Sequence, residues 1–194
     1  MTTSHELPAG FPDVDRRAFD PTEQAMHELP YGIYVVGTVE QGEDGEPRPN
    51  GMIADWVMQV SFTPRLVAVA FENDSSSLRR IRANNAFTVN LLTADQDGLE
   101  LARRFVQPSD GAKIKGRSAE AAAQHHDKLA GVEYTTTEAG CPLLDDALAW
   151  LSCEAEQFVP SGDHTLVLGR VIEGAAPGDG EPMTSMFTGW TYSG

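Results

Sequence analysis

The run Leu66-Val67-Ala68-Val69-Ala70-Phe71 constrains this chain more than any other stretch. It is apolar at every position and shows no alternation, so a strand built from it must be covered on both faces. It is also far too short to span a bilayer. The run therefore calls for a folded domain that closes around it, and 194 residues are ample for one domain with a real core.

Other segments have strand composition. Ile33–Val39, Phe87–Leu92, Val132–Thr136, Ala147–Val159 and Thr165–Glu173 are rich in β-branched and aromatic residues and are bounded by turn formers. In the fourth of these, Ala149, Leu151, Cys153 and Ala155 alternate with Trp150, Ser152, Glu154 and Glu156, as in a half-buried strand. Asn50–Ser61 has apolar residues but no clean period, and Met186–Tyr192 is expected to close the sheet. Helices are few. Asp20 followed by Pro21 reads as an N-cap opening a short helix through His27. Ser75–Asn84 reads as a helix with Leu78 and Ile81 inward, and Ala94–Phe105 as a second, with Leu99, Leu101 and Ala102 on its apolar face. Gly42–Pro49 and Gly174–Pro182 read as loops, and Val106–Gln124 as a polar, mobile one. Residues 1–28 are then an N-terminal arm with a short helix, and residues 29–194 the domain proper. The fold class expected is mainly β with inserted helices, a small antiparallel barrel. No GxGxxG follows a strand and no regular βαβ alternation occurs, which argues against a dinucleotide-binding doubly wound sheet.

Charge narrows the partners. With 29 Asp+Glu against 14 Lys+Arg the formal net charge is −15, which repels phosphate backbones and anionic lipid, so neither nucleic acid nor membrane is expected as a partner. Met1–Arg17 has no apolar signal core, and Cys141 and Cys153 form no disulfide framework, so a cytoplasmic location with reduced thiols is expected. His125 and His126 are adjacent and point differently, while His5 and His27 lie in the arm; no metal site is expected.

The average charge hides a local pattern. Arg79, Arg80, Arg82, Arg103, Arg104, Lys113, Lys115 and Arg117 make up eight of the 14 basic residues and fall in two neighbourhoods. The first follows Ser75, Ser76 and Ser77, hydroxyls at a helix start, where unpaired backbone N–H groups and the helix dipole favour an anion. An ordinary capped helix with a solvated basic face explains the same letters. In Asn50–Ser61, Gly51 and Ala54 allow close backbone approach while Met52, Trp56 and Met58 offer a polarisable wall for a flat ring. A bent core strand is the alternative. His164 follows Gly162-Asp163 at the mouth of a strand, where a turn histidine without special duty is the bland reading. No GxSxG elbow supports a serine hydrolase.

Taken in order, Asn50–Ser61, Phe62–Ala70, Ser75–Ile81, Phe87–Leu92, Gly162-Asp163-His164-Thr165 and Gly169-Arg170-Val171 resemble the flavin reductase-like domain family, built on the FMN-binding split barrel. The resemblance covers about Leu29 to Glu173. It implies flavin-ring contacts at Met52, Ile53, Ala54, Asp55 and Trp56, with Gln59, Val60 and Ser61 continuing that wall. It implies phosphate contacts at Ser75 and Ser77, with Ser76 beside them, and His164 on the nicotinamide side of the flavin. Lys113 or Lys115 stands in for the family's basic residue beyond the second helix. Asp55 departs from the family pattern, which has a small hydroxylic or amide residue there, and Pro64-Arg65 replaces a Pro-Pro. The implied activity is NAD(P)H:flavin oxidoreduction, with FMN or alternatively FAD as cofactor, in a homodimer that serves a monooxygenase. A flavin-binding electron relay without efficient NAD(P)H oxidation is the alternative.

Overall fold

The computed structural model describes residues 20–42, 44–106 and 127–190. The chain begins with helix α1 (Pro21–His27), where Asp20 Oδ1 accepts from the N–H of Thr22 and Glu23 and the Glu23 carboxylate accepts from the N–H of Asp20. This is the reciprocal capping box that Asp-Pro-x-Glu encodes. Strands β1 (Tyr34–Gln41), β2 (Pro47–Ala54), β3 (Val57–Phe62) and β4 (Arg65–Glu72) follow, and then α2 (Ser76–Asn84), β5 (Ala86–Leu91) and α3 (Gln96–Val106). Beyond residue 127 come β6 (Tyr134–Thr136), β7 (Pro142–Leu144), the long hairpin β8 (Ala149–Ser161) and β9 (His164–Ala175), and the short helix α4 (Ser185–Thr188).

Seven strands form one sheet in the order β2-β1-β5-β8-β9-β4-β3, antiparallel throughout, and β6 and β7 pair separately. The sheet's two edges are β2 and β3, which are joined in sequence only by Asp55 and Trp56. The barrel is therefore split beside that two-residue link. One core lies inside it, with Val36, Val67, Val69, Phe71, Phe87, Val89 and Val167 packed against Leu78 and Ile81 of α2. The second lies on the opposite face of β1 and β2, where Ile33, Val35, Leu92 and Leu144 meet Leu99, Ala102 and Phe105 of α3. The unalternating run of β4 is covered as expected, with Val67, Ala68, Val69 and Phe71 buried.

Several expectations are corrected. Gly42–Pro49 is not all loop, because β2 begins at Pro47. Proline lacks an N–H, and an edge strand is where that loss is tolerated. Asn50–Ser61 lacks a period because it holds the end of β2, a turn and most of β3. Met186–Tyr192 does not close the sheet; Thr184 caps α4 and Gly189 ends it in the left-handed region at φ 67°. Tyr192 itself lies outside the described residues, as do the arm before residue 20 and most of the loop Val106–Gln124. Asn90, buried between the two cores, donates to the Val35 carbonyl and accepts from the Leu144 N–H, which fastens β7 to β5.

Candidate functional site

The β2–β3 link places Asp55 and Trp56 at the split. The N–H of Val57 donates to the Asp55 carbonyl at 3.0 Å and the N–H of Ala70 to the Trp56 carbonyl at 3.1 Å, so the link is held to itself and to β4. One strand further into the sheet, beyond β4, lies the β8–β9 hairpin. Its two-residue loop has Gly162 at φ 64°, as the first position of such a tight turn requires. The hairpin presents His164 as the first residue of β9, opposite Glu72 of β4.

The His164 and Trp56 rings meet with centroids 4.9 Å apart and planes tilted by 44°. Tyr31 flanks Trp56 at 6.4 Å. Tyr31 is braced in turn, its N–H donating to Ser185 Oγ and its carbonyl accepting from the Ser185 N–H. The result is an aromatic ledge whose outer member, Trp56, is 36% exposed. His164 Nδ1 lies 2.6 Å from Asp163 Oδ1, a contact that orients the imidazole and holds the Asp163 carboxyl below its ordinary range. Burial pushes the Asp55 carboxyl up, against the pull of the backbone N–H groups of Asp55 and Trp56 and of His164.

The serine-rich start of α2 adjoins the same hairpin. Asn73 donates through its N–H to the Asp163 carbonyl and through Nδ2 to the Gly162 carbonyl, and it accepts from Thr165 Oγ1. Ser75 is the N-cap, its Oγ accepting from the N–H of Ser77 at 3.2 Å and of Leu78 at 3.5 Å. The serines are not equivalent. Ser77 is buried against the core, whereas Ser76 Oγ accepts from Arg80. Arg80 also reaches Glu40, and Arg82 lies over the Phe158 ring.

The wall expected over Met52–Ser61 is less continuous than its sequence suggests. Met52 and Ala54 pack with the barrel core, while Ile53 faces the α3 core on the opposite side. Gln59, Val60 and Ser61 run outward along edge strand β3, Ser61 lying five residues beyond Trp56, roughly 17 Å at strand rise. Asp55, Trp56, His164 and the α2 start are thus brought together, whereas Gln59, Val60 and Ser61 lead away. Lys113 and Lys115 lie outside the described residues.

One basic residue escaped the sequence reading. Lys128 is 6% exposed, and its ammonium donates to the carbonyls of Gly51 at 3.0 Å and Phe105 at 3.1 Å. Burial pushes it down to about 8, and the charge of Arg80 adds to the shift. Lys128 therefore ties the start of the Met52–Trp56 stretch to the C-terminal end of α3. At that crossing a Cβ on Gly51 would stand 2.7 Å from the Phe105 ring, so only glycine lets helix and strand approach. No short motif marks this lysine, because both of its partners are distant in sequence.

An aromatic ledge of rings tilted against one another, beside the Ser75-capped start of α2 with Arg80 bonded to Ser76, fits a ligand that combines a planar ring with a phosphate. Among the described residues no group of three or more His, Cys, Asp or Glu side chains comes together as a metal site would need. No helix among them is long and apolar enough to cross a membrane.

Comparison with known proteins agrees with this description. The family model for the flavin reductase like domain matches residues 26–192, and the chain belongs to that family. A high molecular weight rubredoxin of Moorella thermoacetica is 32% identical over 162 residues, which are 83% of this chain and 62% of that protein. The chain spans less than two thirds of the length of the first curated relatives it matches. A flavin reductase of Pseudomonas putida is 27% identical, with 83% of each chain covered. Among solved structures, the NADH:FAD oxidoreductase SgcE6 of Streptomyces globisporus superposes with a TM-score of 0.66 at 27% identity, over 91% of this chain and 93% of that one. The fold is the split barrel that the sequence resemblance implied.

Proposed function

We propose that the protein is an NAD(P)H:flavin oxidoreductase that uses FMN, with FAD as the alternative. The observation that carries this reading is the Trp56–His164 ledge, set at the β2–β3 link beside the Ser75-capped helix in a chain of the flavin reductase family. The flavin, when bound, supplies the ring that accepts a hydride from the nicotinamide. The protein contributes position and electrostatics. Trp56 offers the ring an apolar face, while Met52 and Ala54 back the strand behind it. Ser76 and the start of α2 supply hydrogen bonds and a favourable dipole to the phosphate, with Arg80 as the nearby positive charge. His164, oriented by Asp163, borders the nicotinamide side.

The ring-contact role of Gln59, Val60 and Ser61 is dropped from this proposal because their strand leads away from the ledge. A second copy of the chain suits edge strand β3 better, where Met58 and Phe62 are 62% and 84% exposed. We therefore propose a homodimer, acting in the cytoplasm as the reductase partner of a monooxygenase. The free, buried thiols of Cys141 and Cys153, pushed up to about 11 and about 12 by burial, suit a reducing compartment.

The test is direct. The purified protein is examined for a flavin spectrum, and NADH and NADPH oxidation is followed with added FMN and FAD. Flavin that neither copurifies nor binds at micromolar concentration sinks the proposal. Binding without reduction by either nucleotide leaves the electron-relay reading instead.

A further inference from the structure

We propose that Asn73 is the positioning residue that sets the His164 imidazole against Trp56 for flavin reduction. The proposal rests on the flavin reading above and deepens it by naming what aligns the nicotinamide side of that site. His164 on β9 and Trp56 at the entry to β3 come from opposite sides of β4, and their rings meet where β4 ends. The β4–β9 ladder stops at Glu72 opposite His164, so the turn carrying Gly162 and Asp163 lies beyond its last rung.

Asn73 extends the grip past that rung. Its backbone N–H donates to the Asp163 carbonyl at 3.0 Å, its Nδ2 donates to the Gly162 carbonyl at 3.1 Å, and its Oδ1 accepts from Thr165 Oγ1 at 2.8 Å. One residue thus bonds both chain neighbours of His164 and the turn glycine as well. Packing does little for this turn: Ser161, Gly162 and Asp163 are exposed, and a Cβ on Gly162 would meet no atom within 4 Å. Beneath it Thr165 is buried, and Arg82 of α2 donates to its hydroxyl at 3.4 Å while lying over the Phe158 ring of β8. Asp163 orients the imidazole through the 2.6 Å contact with Nδ1, yet its carboxylate is 94% exposed. A carboxylate in open water holds a partner weakly, so the direction of the ring depends on the backbone that Asn73 fixes. The start of α2 does not need the Asn73 amide. Its Ser75 is held by an N–H bond to the Glu72 carbonyl and by accepting from the N–H of Ser77 and Leu78. Losing the amide therefore misplaces His164 and leaves the phosphate end of the site intact.

The experiment reads the ring pair and the reaction separately, at one pH and on variants shown by thermal melts to be folded. In protein carrying isotope-labelled histidine, the Cε1–H signal of His164, identified by its loss in His164→Ala, is displaced by the ring current of Trp56, and Trp56→Leu gives its undisplaced position. In Asn73→Ala the signal is expected to move toward that position. Asn73→Asp keeps an acceptor for Thr165 but sets a carboxylate oxygen against the Gly162 carbonyl, and is expected to move it likewise; either variant suffices if the other fails to fold. In stopped flow with FMN and the nicotinamide nucleotide that reduces it, Asn73→Ala is expected to slow reduction about fivefold while FMN affinity changes less than about twofold. In a His164→Ala background the same change is expected to cause no further slowing, because Asn73 acts through that ring. An unmoved signal, an unchanged rate, or equal slowing with and without His164 overturns the role of Asn73 and leaves the reductase reading standing. Wild type that binds no FMN overturns the reductase reading and this proposal with it, whatever the histidine signal does.

Discussion

Replacing Lys128 with Met removes a buried cation and leaves the surrounding strand and helix in place. The folded-state pKa falls from 10.5 to about 8, a drop driven first by burial. At 1.36 kcal/mol per unit this corresponds to about 3 kcal/mol. Between pH 8 and 10.5 the unfolded chain holds more protons on this residue than the folded chain does, so wild-type stability rises with pH across that window. Below it the charged ammonium is buried at full cost, partly offset by its bonds to the Gly51 and Phe105 carbonyls, each worth about 1.5–3 kcal/mol for a charged donor. Methionine loses those bonds and the desolvation cost together, so near pH 7 the two effects largely oppose. As the pH rises to 10.5 the desolvation cost disappears from wild type, and the variant falls behind by about 3 kcal/mol more than at pH 7. Urea unfolding of both proteins in half-unit steps, followed by tryptophan fluorescence, measures the difference. Other titrating groups are common to the two chains and cancel. Lys128→Arg, charged throughout, should lack the rise as well. Wild-type and Met curves that run parallel within about 0.5 kcal/mol over this range refute the buried, charged lysine.

His164→Ala keeps the strand start but removes one of the ledge's three rings. Flavin reduction by NAD(P)H in stopped flow should slow about tenfold or more through lost positioning, with a much smaller change in flavin affinity; an unchanged rate returns His164 to the role of a turn residue. Asn90→Ala leaves the Leu144 N–H and the Val35 carbonyl without their buried partner, and should lower unfolding free energy by about 2–4 kcal/mol. A loss below about 0.5 kcal/mol would show that β7 is held to β5 without Asn90, by the bond from Thr88 Oγ1 to the Pro142 carbonyl and by apolar packing.

Local chemistry marked the strands whose burial repeats in register. The unalternating Leu66–Phe71 run is a strand covered as its composition demands, and the alternation read over Ala149–Glu156 is met in burial at Cys153–Glu156, while Ala149–Ser152 are all half-buried. The caps at Asp20 and Ser75 were legible because each side chain bonds N–H groups two and three residues ahead. β2 was hidden by Pro47, Pro49 and Gly51, which suit an edge strand packed closely under Phe105 but spoil its composition. α4 was misread as a strand although Thr184 and Gly189 carry its capping signals. For the site, the aromatic ledge was readable as Trp56 and His164 separately, and the resemblance joined them.

The sequence by itself determined a mainly β domain with a serine-capped helix, because caps, turns and burial periodicity act over a few residues. Only the tertiary structure decided which candidates share a site. Trp56 and His164 meet over β4 because antiparallel pairing of β4 with β9 returns the hairpin to the β2–β3 link, more than a hundred residues away in the chain. Gln59, Val60 and Ser61 are carried off by strand rise alone. Lys128 gains its role from two carbonyls 77 and 23 residues distant, and no pattern within its own segment encodes that burial.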